Sequence, residues 1–195
     1  DKFRTGLGGA CPAAFSGGAP LGARLGHFYR GVGLSIYEGY GLTETSPIIM
    51  GNPESADRRP GYIGIPFPDP QIRIVNPDNP DEDMPFGEAG EILAKGPQVF
   101  SGYFNNPEAT EKVFHDGWFR TGDLGHMDAE GYLYITGRQS DMFISGGSNV
   151  YPREIEEKIL THPAISEVAV LGMPDPLWGE VGWAVCVARE GAEVD

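Results

Sequence analysis

Between residues 61 and 104, proline and glycine cut the chain into short extended segments: "YIGIPFP", "QIRIV", "GEILAKG" and "VFSGYF". Proline removes a backbone donor and fixes φ, while glycine weakens helices, so no long helix survives such punctuation. The stretch is expected to be all-β, one small barrel or sheet. The chain carries 29 glycines and 17 prolines and is 40% hydrophobic. Turns abound, yet the two residues together stay below the roughly 25–30% that marks low complexity, which predicts a folded, loop-rich globular protein.

On the N-terminal side, "PLGARLGHFYRG" predicts a helix over 20–31, with Leu21, Leu25, Phe28 and Tyr29 at helical spacing, Pro20 near its start and Gly31 at its exit. A short strand follows in "LSIYEG". The acidic stretch "NPDNPDEDMPFGE" holds Asp78, Asp81, Glu82 and Asp83 but lacks the spacing of a calcium loop, and reads as a solvated surface turn. "NNPEATEKVF" predicts a short helix with Asn106 as N-cap and Pro107 at the first position. "GWFRTGDLGHMDAEGYLYITG" predicts a hairpin turning at Asp128 to Gly131.

After "GRQSD" the pattern changes to a strand "MFIS", a turn "GGSN" and a helix over 152–162 that starts at Pro152 and aligns Ile155, Ile159 and Leu160. A strand "EVAVLG", a loop rich in proline and glycine, and a strand "VGWAVCVA" complete it. A domain boundary is placed near Arg138 to Asp141, and there are no internal repeats.

A formal charge of -14 repels phosphate backbones and anionic lipid, which argues against nucleic-acid and membrane-surface binding. Any anionic ligand must be held locally. Cys11 and Cys186 form no C-x-x-C pair and suit a reducing compartment. No apolar run approaches the roughly 20 residues of a membrane span, and the expected location is the cytoplasm. His27, His115, His126 and His162 fall in no H-E-x-x-H or other metal spacing, so structural or exposed roles are expected of them. No serine sits in G-x-S-x-G, leaving a hydrolase unsupported. The chain opens on "DKFRTG" without methionine and closes on a polar run directly after an apolar strand, which reads as an excised piece.

Five motifs carry chemistry. In "EGYGLTETSP", Tyr40 offers a flat face, Gly39 and Gly41 let backbone approach a ligand, Thr43 can bond a phosphate oxygen, and Glu44 can hold Mg²⁺. That set describes ATP, although alone it describes equally well an aromatic in a glycine turn followed by a Thr/Glu surface. "SGGAPLG" is a glycine turn before a helix that can line a flat substrate, or a plain strand-to-helix turn. Asp123 in "TGDLG" can accept from both hydroxyls of a ribose and Arg138 in "TGRQSD" can add a charge-assisted bond; the bland alternatives are a turn-former and a surface ion-pair partner. "ISGGSNVYPREIE" is a flexible Gly146-Gly147 turn leading into a helix, or a plain loop.

Together and in this order, "SGGAPLG", "GYGLTETSP", "GYIGIPFPDPQIRIV", "GEILAKGPQVFSGYFNNPEATEKVF", "GWFRTGDLG" and "GRQSDMFISGGSNVYPREIEEKI" resemble the adenylate-forming superfamily of acyl-CoA synthetases, luciferases and peptide-synthetase adenylation domains. The resemblance implies a mixed α/β (α+β) fold. Residues 1–138 would end the large N-terminal domain, with a sheet/helix subdomain over 1–60 and a distorted β-barrel subdomain over 61–138. Residues 139–195 would begin a small mobile C-terminal lid.

It also implies the chemistry: a carboxylic acid, ATP and Mg²⁺ give an acyl-adenylate and pyrophosphate, and coenzyme A then displaces AMP. By motif, Thr43 and Glu44 would be catalytic, with Thr43 on phosphate and Glu44 on the metal. Tyr40 would stack on adenine between Gly39 and Gly41, while Asp123 and Arg138 would hold the ribose. Gly17, Gly18 and Ala19 would wall the acyl and adenine pocket, and Gly146 and Gly147 would face the pantetheine channel. Ser140 would be the hinge of the lid, at a position where the family usually has Asp or Lys.

The wording resembles fatty-acyl and aryl CoA ligases, with a medium- or long-chain fatty acid as the expected substrate. The alternatives are an enzyme that loads a carrier protein and a non-catalytic nucleotide-binding relative. The family's phosphate loop with its lysine would lie upstream of residue 1, and its catalytic lysine downstream of residue 195. The piece alone is therefore expected to be inactive or nearly so.

Overall fold

The computed structural model describes residues 5, 13–17, 23–46, 48–53, 59 and 61–192. The chain divides into two compact units, one of Asp1–Thr121 with Gly125–Ile135 and one of Gly122–Leu124 with Thr136–Asp195.

The first unit opens with β1 (Ala13–Ser16), α1 (Ala23–Gly31) and β2 (Ser35–Tyr40). β1 and β2 pair in parallel, Ala13 facing Ser35 and Ser16 facing Glu38, and parallel neighbours require a crossover such as α1. The helix expected over 20–31 is seen from Ala23; Pro20 and Leu21 lie outside the described residues. β3 (Met50–Gly51) adds antiparallel to β2 and β4 (Ile65–Pro66) antiparallel to β3, giving the order β1-β2-β3-β4.

A second sheet follows from β5 (Gln71–Asn76), β6 (Asn79–Asp83), β7 (Gly90–Lys95), β8 (Phe114–His115), β9 (Trp118–Met127) and β10 (Leu133–Arg138). Its order is β10-β9-β7-β5-β6, with β8 on β9. Gly64 bridges Leu133 antiparallel: Ile63 N–H donates to the Leu133 carbonyl at 2.8 Å and Leu133 N–H to that of Gly64 at 2.9 Å. This bridge runs one sheet on into the other, the barrel-like arrangement expected. Only glycine fits at 64, since its φ is +112° and a Cβ would lie 2.1 Å from the Gly51 carbonyl carbon. Tyr40, Ile49, Met50, Ile63, Ile74, Ile92, Ala94, Phe119 and Leu133 form the core inside.

The short helix α2 (Pro107–Val113) starts as its sequence predicts: Asn106 caps it by accepting from Ala109 N–H at 3.1 Å, with Pro107 next. The β9–β10 hairpin turns where expected, Gly131 N–H donating to the Asp128 carbonyl at 3.0 Å.

Two expectations fail here. The acidic stretch is not a surface turn throughout, because Asn79–Asp83 pairs with β5 as β6. Its charge is absorbed locally, by Arg73 Nε donating to Asp83 Oδ1 at 2.8 Å and Asn76 Nδ2 to Glu82 Oε2 at 3.0 Å. An edge strand also tolerates Pro80. "VFSGYF" is not a strand but a loop folded over the start of α2, with Tyr103 N–H donating to Thr110 Oγ1 at 2.9 Å.

The second unit holds β11 (Phe143–Ser145), β12 (Ser148–Val150), α3 (Pro152–Ile159), β13 (Ile165–Asp175) and β14 (Gly179–Ala188), with strand order β12-β11-β14-β13. Phe143, Ala164, Ile165 and Val170 are buried, and Glu156 of α3 accepts from Val170 N–H at 2.8 Å, tying helix to strand. β12 was not expected, and the expected loop rich in proline and glycine is mostly taken up by the β13–β14 hairpin. Asp175 closes its tip by accepting from the N–H groups of Leu177 and Trp178, both at 2.8 Å. Leu177, Trp178, Trp183, Val185 and Val187 stay exposed on this hairpin. Among the described residues no helix is long and apolar enough to cross a membrane.

Candidate functional site

The "EGYGLTETSP" motif lies where β2 ends. Tyr40 is 6% exposed and belongs to the core, leaving its ring almost no free surface. Leu42–Thr45 then turns as a single 3-10 coil, Thr43–Thr45. The fully buried Thr45 hydroxyl locks that coil, accepting from Leu42 N–H at 2.8 Å and donating to the Leu42 carbonyl at 3.0 Å. Ser46 leaves through the left-handed region at φ 51°, reversing the chain into β3. Thr43 is exposed at this corner and Glu44 half-buried.

Glu44 is held at both ends by one loop. Its carbonyl accepts from Phe100 N–H at 2.8 Å, and its Oε1 accepts from the Tyr103 hydroxyl at 3.0 Å. Burial first, then the hydrogen bond to Glu44 and its negative charge, push the Tyr103 phenol above its ordinary range. Tyr103 escaped the sequence reading because it lies 59 residues away in a segment taken for a strand.

Mg²⁺ prefers one or two carboxylates plus phosphate oxygens. A fixed, half-buried carboxylate beside an exposed threonine hydroxyl fits that preference. Glu44 would hold the ion, Thr43 would contact phosphate, and the bound ion would neutralise phosphate charge.

Gly17 follows β1, where the parallel register brings it beside Gly39; a Cβ on Gly17 would stand 3.6 Å from the Gly39 carbonyl oxygen. Gly18 and Ala19 lie outside the described residues. Gly41 continues the chain beyond β2, half-buried.

Asp123 and Arg138 meet in the second unit, Arg138 Nε to Asp123 Oδ1 at 3.0 Å. The Asp123 side chain is only 7% exposed while that of Arg138 is 61% exposed, so a buried carboxylate is faced by a cation open to solvent. Gln139 N–H donating to the Gly122 carbonyl at 2.8 Å fastens the two strands beside the pair. Three residues before Asp123, Arg120 grips the 1%-exposed Glu91 through Nη2 at 2.6 Å and Nε at 3.0 Å, and Thr121 donates to the Ile92 carbonyl at 2.8 Å. No motif announced this anchoring.

Ser140 is exposed, its hydroxyl donating to Asp141 at 2.9 Å. Gly146 and Gly147 make the expected turn, with φ of 57° and 84°, but it joins β11 to β12 before the helix begins. Gly146 N–H donates to the Trp178 carbonyl at 2.8 Å, and a Cβ there would meet the Trp178 ring at 2.6 Å.

Of the histidines, His115 pairs with Asp81 at 2.7 Å and stands near Asp116, a cluster at the surface that spacing alone did not reveal. His126 lies against the Tyr134 ring at 5.2 Å, and His162 Nδ1 accepts from Ala164 N–H at 3.3 Å.

The chain matches the structure of ATP-bound MatB from Rhodopseudomonas palustris with a TM-score of 0.87 at 42% identity, covering 93% of this chain and 36% of that one. It matches o-succinylbenzoate CoA synthetase from Bacillus subtilis, in complex with its acyl-adenylate intermediate, with a TM-score of 0.84 at 36% identity, over 97% of this chain and 40% of that one. The fold is thus that of adenylate-forming enzymes.

The family profile described as AMP-binding enzyme matches residues 2–104, and that described as AMP-binding enzyme C-terminal domain matches 154–195. The chain belongs to the AMP-binding enzyme family. A long-chain-fatty-acid–CoA ligase, FadD15 of Mycobacterium tuberculosis, is 48% identical over 91% of this chain and 28% of that protein. A feruloyl-CoA synthase of an Amycolatopsis species is 42% identical over 92% of this chain and 36% of that protein. The chain therefore spans about a third of the length of the curated relatives it matches.

Proposed function

We propose that this chain is part of an ATP-dependent, AMP-forming acid–CoA ligase. The observation that carries the reading is the turn at Thr43 and Glu44, where a glutamate held at its backbone carbonyl and at Oε1 stands next to an exposed threonine. In the first half-reaction a substrate carboxylate oxygen attacks the α-phosphorus of ATP and pyrophosphate leaves. In the second, a thiol attacks the acyl carbon and AMP leaves.

Such chemistry rests on positioning and charge neutralisation. Thr43 and Glu44 serve the phosphates and Mg²⁺. Asp123 accepts from ribose hydroxyls, and Arg138 keeps its remaining N–H groups for the same sugar or a phosphate. Gly17, Gly18, Ala19, Gly39 and Gly41 supply flat backbone walls. Tyr40 serves adenine only where its ring comes free of the core that holds it. Gly146 and Gly147 face the pantetheine arm, and Ser140 is the pivot.

The acid is taken to be a medium- or long-chain fatty acid, supported by the long-chain-fatty-acid–CoA ligases among the relatives and set against the feruloyl-CoA synthase beside them. A cytoplasmic location is part of the same reading.

The test is to incubate the full-length gene product with ATP, Mg²⁺, coenzyme A and a panel of acids, with products read by mass spectrometry. Acyl-CoA with AMP supports the ligase and names its acid. Acyl-adenylate without thioester replaces coenzyme A by a carrier protein. Neither product, despite nucleotide binding, leaves a non-catalytic relative.

A further inference from the structure

A glutamate side chain has three rotatable bonds, and holding it still for a ligand costs conformational entropy unless the fold does so beforehand. The loop after β7 supplies that restraint. Phe100 packs its ring at 5.6 Å from Phe114 and 5.5 Å from the buried Phe119, and its N–H takes the Glu44 carbonyl. Tyr103 is fixed in turn by its N–H on Thr110 Oγ1 at 2.9 Å, by its carbonyl on Asn106 N–H at 3.1 Å, and by its ring against Phe100 at 4.9 Å. Thr110 itself donates to the Asn106 carbonyl at 2.9 Å. The phenol therefore reaches Glu44 from a built support, not as a wandering side chain.

We propose that Tyr103 is a positioning residue that presents the Glu44 carboxylate to the metal–phosphate group, an inference that rests on the proposed role of Glu44. Its hydroxyl occupies Oε1, while among the described residues Oε2 takes no protein hydrogen bond. A neutral donor suits this task. An arginine or lysine in the same place would fix the carboxylate equally well but cancel the charge that a divalent cation needs. Tyrosine orients the group and leaves its charge in place.

The experiment uses the full-length gene product as Y103F, E44Q and the double variant. Mn²⁺ binding in the presence of ATP is followed by electron paramagnetic resonance, and the Mg²⁺ activation constant by acid-dependent ATP–pyrophosphate exchange. Y103F is expected to weaken Mn²⁺ binding and raise the Mg²⁺ constant by about three- to tenfold, the scale of one ordinary net hydrogen bond. The KM for coenzyme A and the melting temperature should hold, and the double variant should be no weaker than E44Q. Losses that multiply in the double variant, or a Y103F that melts earlier with its metal response intact, would overturn the inference. If E44Q alters metal binding and Y103F does not, the positioning role falls and the reading of Glu44 stands. If E44Q leaves metal binding unchanged, both fall.

Discussion

Glu91 lies 1% exposed on the central strand β7, a place a carboxylate tolerates only with a partner. Replacing Arg120 with Met would leave that charge buried and alone, and is expected to destabilise by about 3–5 kcal/mol, read as an earlier urea midpoint. Arg73→Met breaks a pair whose Asp83 side chain is 67% exposed, and should cost less than about 1 kcal/mol in the same assay. At the proposed site, Glu44→Gln is expected to lower adenylate formation about 100-fold or more in the full-length protein, measured by pyrophosphate release. Residue types were legible where one local motif held them, as with Thr43 and Glu44. The partners were not: Arg120 and Tyr103 find theirs through strand order and loop path, which no short window of sequence contains.

Elements were legible in proportion to how local their signals are. α2 begins at Asn106 and Pro107 because a capping side chain and a fixed φ act within one turn, and Asn106→Ala should cost about 1 kcal/mol. β6 was read as a turn because its carboxylates look like solvent-facing residues; pairing with β5 and contacts to Arg73 and Asn76 decided otherwise. The β13–β14 hairpin was hidden by Pro174, which sits within the ladder opposite Glu180 near the tip. Gly64 belongs to this scale too, since it lets β4 meet β10. Gly64→Ala forces a Cβ into the Gly51 backbone and is expected to cost about 4 kcal/mol or more, seen as loss of cooperative melting.

For the whole molecule, the joint order of the motifs carried the mixed α/β fold class, although "VFSGYF" lies on a loop and most of "SGGAPLG" lies outside the described residues. The division of the chain was less legible. Gly122–Leu124 lies inside a strand yet groups with residues beyond Thr136, an arrangement set by Asp123 meeting Arg138 and Gly122 meeting Gln139. If Ser140 is a pivot, Ser140→Pro, which fixes φ near −65°, should spare adenylate formation and slow thioester formation about tenfold or more in rapid-mixing experiments.

The tip of the β13–β14 hairpin gives the molecule an optical handle of its own. Of its three tryptophans, Trp178 and Trp183 are more than half exposed, while Trp118 sits with Arg73 and Lys95 near its ring at 5.4 and 5.6 Å. A neutral collisional quencher would therefore darken the hairpin first. Because the Trp178 ring lies against Gly146, a molecule settling on that turn would announce itself as a change of emission, with no label attached.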